Sequence, residues 1–284
     1  MRNKTAMQAS ADFVLARTHT IFRDFVAILS GTPNRLLEFH QVSQLLRIGG
    51  PIYRGLRLVR LRDIIGSVQR YEDFDSAFLP RQSISFTRWA RINRAWYDDV
   101  SLPPVSLYMV GQAHFAVDGH HRISVARARG SEYIEAEVRE CHVRIPVTAS
   151  LRAEHLEILG AKVQFMERTN LDQLRPKLEI DITILGGYDR LLEHIAVHRY
   201  FMSLDYMREI SEAKAVIHWL DNVYHPTIDA INKGGITPIV PGRPWLIFIC
   251  GSWTTSTTCI QMRPRILRSQ IVLRFSSCLA ELGK

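Results

Sequence analysis

The sequence predicts an α+β protein: a compact α+β domain over residues 51–147, preceded by a helical hairpin (1–50) and followed by a small mixed, mainly helical region (148–243). Three observations carry that expectation. Apolar residues recur at helical spacing over 7–30 and again over 35–48. Between 56 and 147 the short alternating runs LRLVRL, VSLYMV, HFAVD and EAEVRECHVRIPV are separated by turn residues and by helical stretches. From about 189 to 233 the helical spacing returns. A hydrophobic fraction of 46% and a charged fraction of 23% over 284 residues suit one large domain or two modest ones.

Each element has its own signal. The first helix, 7–30, repeats Phe13, Val14, Ile21, Phe22, Phe25, Val26 and Leu29, and Gly31 and Pro33 end it. The second, 35–48, gathers Leu36, Leu37, Val42, Leu45 and Leu46 before Gly49-Gly50-Pro51, which makes the pair a packed hairpin. LRLVRL at 56–61 alternates as a strand. Residues 86–98 read as a helix with Trp89, Ile92 and Trp96 on one core-facing stripe. After Pro103-Pro104 come the strands VSLYMV and HFAVD, joined by Gly111-Gln112. A helix over 120–129 then closes on Gly130, and 135–147 alternates as a further strand. Beyond it, KVQFM (162–166) and LEIDITI (178–184) read as strands. One helix runs 189–203, a second starts at Ser211 as N-cap, and a third follows Pro226 and stops at Gly234-Gly235.

Charge and cysteines narrow the class. No apolar run approaches the roughly 20 residues of a membrane span, and the N-terminus lacks the apolar core of a signal peptide. Cys141, Cys250, Cys259 and Cys278 contain no CxxC pair, which argues against a zinc knuckle or a disulfide framework. The expectation is a cytoplasmic protein with no membrane partner. The net charge is +8, but the segment from Pro244 onward holds five basic residues against Glu281 alone. The rest is only mildly basic, so DNA is not the favoured partner.

The polar crowding at 118–122 (Asp-Gly-His-His-Arg) is where chemistry concentrates. A strand that ends on Asp118-Gly119 and runs straight into a helix leaves the first backbone N–H groups of that helix without intrahelical partners. Gly119 allows close approach, the helix end is positive, and His120, His121 and Arg122 add donors, which together suit phosphate. Asp118 fits beside an anion only through a magnesium ion or as a base. The plainer alternative is that Asp118 caps the helix and pairs with Arg122 four residues on.

The run VSLYMVGQAHFAVDGHHRISVARARGSEYIEAEV resembles the core of the ParB/sulfiredoxin superfamily, over about a third of the chain. That resemblance implies a ParB/sulfiredoxin-like fold for 51–147 and a nucleotide-phosphate site at the turn. ParB partition proteins carry Gly-Glu-Arg-Arg there and bind CTP; here Gly119 and Arg122 match, while His120 and His121 do not. Sulfiredoxins carry a cysteine where His120 stands, which argues against their sulfinic acid chemistry. Free serine kinases carry Asp-Gly-His-x-Arg, matched by Asp118, Gly119, His120 and Arg122. The longer pattern also resembles uncharacterised bacterial ParB-like proteins with an added C-terminal region.

The expectation that follows is a nucleotide-binding protein taking ATP, ADP or CTP with magnesium. Gly119, His120, His121 and Arg122 would hold phosphate, Asp118 the metal, and Asp118 and His120 would act in a kinase-type phosphotransfer. A rival is a DNA-binding transcriptional or partition regulator, with a helix-turn-helix in 205–233 whose basic face is diluted by Glu212, Asp221 and Asp229. A third is a binding module without catalysis. Glu72, Asp73 and Asp75 read as a solvated acidic loop or a magnesium site, with Arg70 and Arg81 in reach of phosphate. His194 and His198, next to Glu193, have zinc spacing but no third ligand in sequence. Cys141 reads as a small buried hydrophobe.

After Pro241-Gly242-Arg243 acids almost vanish and Ser, Thr, Cys and Arg accumulate. The expectation is that residues from 244 onward are read out of frame, because a shift of two nucleotides permits an amphipathic helix there. Resequencing the gene tests this: the expected result is a frame change near codon 244, and a clean open frame that excludes it overturns the idea.

Overall fold

The computed structural model describes residues 2–81 and 86–233. The chain divides into two compact units, Met1–Leu159 and Gly160–Lys284. The first contains α1 (Arg2–Ser30), β1 (Leu37–Glu38), α2 (Phe39–Leu45), β2 (Pro51–Arg60), β3 (Ile64–Ser67) and α3 (Phe86–Tyr97). It continues with β4 (Val105–Val110), β5 (Ala113–Asp118), α4 (His120–Ala128) and β6 (Tyr133–Cys141). The strands form one mixed sheet in the order β1-β3-β5-β4-β6-β2. β4 and β5 are an antiparallel hairpin turned by Gly111 at φ +59°, while β1, β3 and β5 run parallel, as do β4 and β6.

Register decides which side chains meet. Leu107 lies opposite Ala116 and beside Val138, and these three face the same side of the sheet. There they meet Ile123 and Ala126 of α4 and Phe74 and Phe78 of the loop after β3. Tyr108 and Phe115, one residue along each strand, turn to the opposite side and pack on Phe39. Helix α4 covers the first face, α3 packs on α4, and α1 packs on α3. Trp89 is the joint: fully buried, it touches the Phe13 ring edge-on and donates from Nε1 to Ser124 Oγ at 3.0 Å.

In the first unit three expectations change. The hairpin of 1–50 is not formed: α1 rests on α3, and Leu37–Glu38 pairs with Gly66–Ser67 at the sheet edge. Residues 1–50 therefore belong to the same unit as the sheet. Phe13 is buried, but Val14, Ile21, Phe22, Phe25, Val26 and Leu29 are exposed; the buried face of α1 is made by the smaller Ala9, Ala16 and Thr20. Trp96, expected in the core with Trp89, is 41% exposed, with the Arg129 guanidinium 5.8 Å from its ring.

The second unit takes in most of α5 (Leu156–Thr169), then α6 (Leu171–Leu174), α7 (Gly187–Asp205), α8 (Glu212–Trp219), a π-helical turn (Leu220–Tyr224) and α9 (His225–Lys233). KVQFM is helical, not a strand: a short apolar run fits both periods, and Val163 and Met166 are also one helical turn apart. LEIDITI is not a strand either. It keeps the alternation, with Ile180 and Ile182 buried, but the Tyr188 hydroxyl takes the place of a neighbouring strand. That hydroxyl donates to Ile180 O at 2.9 Å and accepts from Ile182 N at 3.3 Å. Residues 212–233 form one uninterrupted helical run, where two helices were expected, because the wide π turn accommodates Pro226, which has no N–H to donate. Among the described residues no helix is long and apolar enough to cross a membrane. The frame change expected after residue 243, the helix stop at Gly234-Gly235, and Cys250, Cys259 and Cys278 lie outside the described residues.

Trp89→Ala is expected to cost about 3–5 kcal/mol of stability, the range for removing a buried aromatic. Trp96→Ala should cost under about 1 kcal/mol, its main loss being a cation–π contact. Urea denaturation of the two variants separates the roles, and equal losses would contradict this packing.

Candidate anion site at the start of helix α4

The junction between β5 and α4 is set by Gly119. Its φ of +91° is left-handed, and a Cβ there would stand 2.5 Å from Val105 Cγ1. Glycine is thus required by backbone and by packing, which is a different reason from ligand approach. Asp118 does not cap α4. Its carboxylate, 73% exposed, pairs with Arg122 at 2.8 Å, and Arg122 also donates to the carbonyls of Pro103 and Pro104. The guanidinium of Arg122 is therefore committed to holding the loop before β4.

His120 and His121 lie under the turn rather than on it. His120 Nε2 is 2.6 Å from Ser67 Oγ, and its ring stacks near that of Phe74. His121 meets Phe74 edge-on, and Arg70 donates to its Nε2 at 3.2 Å. Burial first, then the Arg70 cation, lowers both rings to about 4; Arg88 adds to the effect on His121. A guanidinium can only donate, so His121 Nε2 accepts and the ring proton sits on Nδ1. That Nδ1 is buried and has no hydrogen-bond partner.

Above these rings lies a cleft of about 180 Å³, lined by Gln69, Arg70, Arg88 and Ile92 together with residues 117–122. A second cleft of about 420 Å³ borders Arg122 on its other side, between residues 99–105 and Tyr133. The structure thus brings Asp118, Gly119, His120, His121 and Arg122 to one cleft. Arg70 joins them, held by Asp73 at 2.7 Å. Arg81 does not: it bonds to Asp24 and to the carbonyl of Asn34. Asp75 is a buried loop organiser, accepting from Ala77 N and Leu79 N at 2.9 and 2.8 Å, and Glu72 is exposed. Burial raises the Asp75 carboxyl, against those bonds and the nearby Arg23.

Arg88 and Ser67 join the cleft without a signal of their own in the sequence. Arg88 shares a face of α3 with Ile92 four residues on, a pairing visible in sequence only once the Trp89 face is assigned to the core. Ser67 gave no signal, since only the parallel pairing of β3 with β5 brings it to His120. Elsewhere, His194 Nδ1 accepts from Trp219 at 2.7 Å and His198 lies 2.8 Å from His218. Burial lowers these two rings to about 3 and about 4. Among the described residues no group of three or more His, Cys, Asp and Glu could hold a metal ion. Cys141 is buried, as expected of a small hydrophobe.

No family model, no curated protein and no solved structure matches this chain.

Buried neutral histidines make stability pH-dependent. The rings stay neutral in the folded protein to about pH 4, whereas unfolded histidine protonates near 6.5. Between those values the unfolded chain binds more protons, so stability is full above about pH 6.5 and falls towards pH 4. A His120→Asn, His121→Asn double variant should be less stable at pH 7 but lose less on acidification to pH 5. Urea midpoints at the two pH values test this; a parent midpoint that does not fall would contradict it.

Proposed function

We propose that the first unit binds the phosphates of a nucleotide in the cleft at the start of α4, with Arg70, Arg88, His121 and the first-turn N–H groups as donors. The observation that carries the reading is His121 Nδ1, a buried N–H with no partner beside a cationic cleft. Leaving such a donor unpaired costs about 1–3 kcal/mol, which a phosphate oxygen would recover. A cleft of about 180 Å³ is smaller than the roughly 300 Å³ where small-molecule pockets begin. The phosphates then occupy this cleft, and the base and ribose extend towards the larger one beyond Arg122. The ParB/sulfiredoxin resemblance supports the same ligand class.

Of the two residues expected in catalysis, Asp118 reaches solvent at the rim and His120 lies beneath it on Ser67. Asp118 would share a magnesium ion with the phosphates, as that ion ordinarily binds through one or two carboxylates and its substrate. It could also take the proton of an acceptor hydroxyl in a kinase-type transfer. The binding reading does not depend on turnover. The DNA-binding reading expects two helices divided before Pro226, and that part of 205–233 is a continuous helical run.

Thermal shift and calorimetry with ATP, ADP, CTP, GTP and pyrophosphate, each with and without magnesium, test the proposal. At least one should raise the melting temperature, as any ligand specific to the folded state must. Arg88→Ala should leave the unliganded melting temperature unchanged and weaken binding by about 1.5–3 kcal/mol, the range for a charge-assisted hydrogen bond. Arg122→Ala should lower the unliganded melting temperature. No shift with any ligand, or full affinity in Arg88→Ala, overturns the reading.

A further inference from the structure

We infer that α1 is a dimerisation helix whose partner is α1 of a second copy of this chain. The inference is independent of the nucleotide reading. Helix α1 carries two separate apolar faces. Ala9, Phe13, Ala16 and Thr20 are buried, and this narrow face is the one that packs against α3. The opposite face is larger, apolar and exposed.

Its spacing is that of helix-on-helix packing. Met7, Val14, Ile21 and Ile28 repeat every seven residues, and Ala11, Thr18 and Phe25 fall four residues after each of the first three. This alternation of four and three is the core seam of a coiled coil, kept over three heptads. Leu15, Phe22 and Leu29 flank the same seam. All these positions are exposed, from 58% at Phe25 to 79% at Met7 and Ile28 among the large residues. The Thr18 hydroxyl is spent on Val14 O at 2.9 Å. Charges turn the other way. Arg23 faces Asp75 and Ser76, and Asp24 faces Arg81 and Asn34, so the seam itself holds no charged residue.

Area and symmetry identify the occupant. The exposed seam and its flank present roughly 1,000 Å² of apolar side chain, against about 800 Å² per partner in a standard interface. The stretch 7–29 is centred on Thr18, so a two-fold axis through that point lays the seam on its own copy from end to end. A helix that lies on a membrane surface instead carries a strongly basic polar face. Here the polar positions of α1 between 7 and 29 carry Arg17 and Arg23 against Asp12 and Asp24, which balance.

Analytical ultracentrifugation of the full chain is expected to give a dimer. An Ile21→Glu, Phe25→Glu variant should be monomeric with circular dichroism and nucleotide response unchanged, since neither side chain is part of the core. A Thr18→Cys variant should form a covalent dimer on mild oxidation that the parent does not form. A parent that stays monomeric up to about 100 µM, above the micromolar limit of interfaces this size, overturns the proposal. So does a dimer that survives the double substitution, or a Thr18→Cys variant that oxidises no further than the parent.

Discussion

The left-handed turn at Gly119 governs the first unit. With a φ of +91° it redirects the chain from β5 into α4 within one residue, and the missing Cβ lets Val105 close on the turn. From that angle Ile123 and Ala126 fall onto Leu107, Ala116 and Val138 of the sheet. The same angle brings Arg122 to the carbonyls of Pro103 and Pro104, so the loop before β4 is held by the helix that follows β5. His120 and His121 are pressed beneath the turn as a consequence. An alanine at 119 would meet both a backbone strain and a steric one.

The loop after β3 is the counterpart of that turn. Phe74 and Phe78 reach down to the core and to both histidines, while Asp75, buried, gathers the loop's own N–H groups. A buried carboxylate is costly unless bonded and paired, and Arg23 of α1 lies 3.2 Å from it. Asp24 of the same helix meets Arg81 at the far end of the loop. The acidic run Glu72 to Asp75 is therefore divided by geometry: one carboxylate builds the loop, one orients Arg70, and Glu72 remains on the surface.

The cleft is built with its electrostatics unbalanced. Two rings kept neutral by burial lie beside Arg70 and Arg88, and the one carboxylate at the rim is paired with Arg122. Arg70, Arg88 and the first-turn N–H groups converge there, and the carboxylates at hand, Asp73 and Asp118, are already paired with Arg70 and Arg122. An anion would relieve that imbalance, and a cation would deepen it.

Much of the first unit was legible from sequence because its signals are local. Alternation, Gly111-Gln112 and the Asp118-Gly119 junction mark β4, β5 and α4, and the spacing of Asp118 and Arg122 already contained their ion pair. Helical spacing likewise marked α1, α3 and α7. What it did not mark was which face of α1 meets the core, since an apolar stripe states a preference for burial and not a partner. In sequence the large stripe reads as the hairpin contact, whereas the small one is what α3 touches. LEIDITI kept its alternation and found a tyrosine hydroxyl where a strand was expected, because pairing depends on what lies alongside. Ser67 and Arg88 became part of the cleft only through strand order and helix packing. Sequence determined the local elements and the polar turn, since those follow from neighbouring residues and backbone sterics. Tertiary structure alone decided the partners of Arg122, the burial of the histidines and the exposed seam of α1, because each depends on residues brought together from distant parts of the chain.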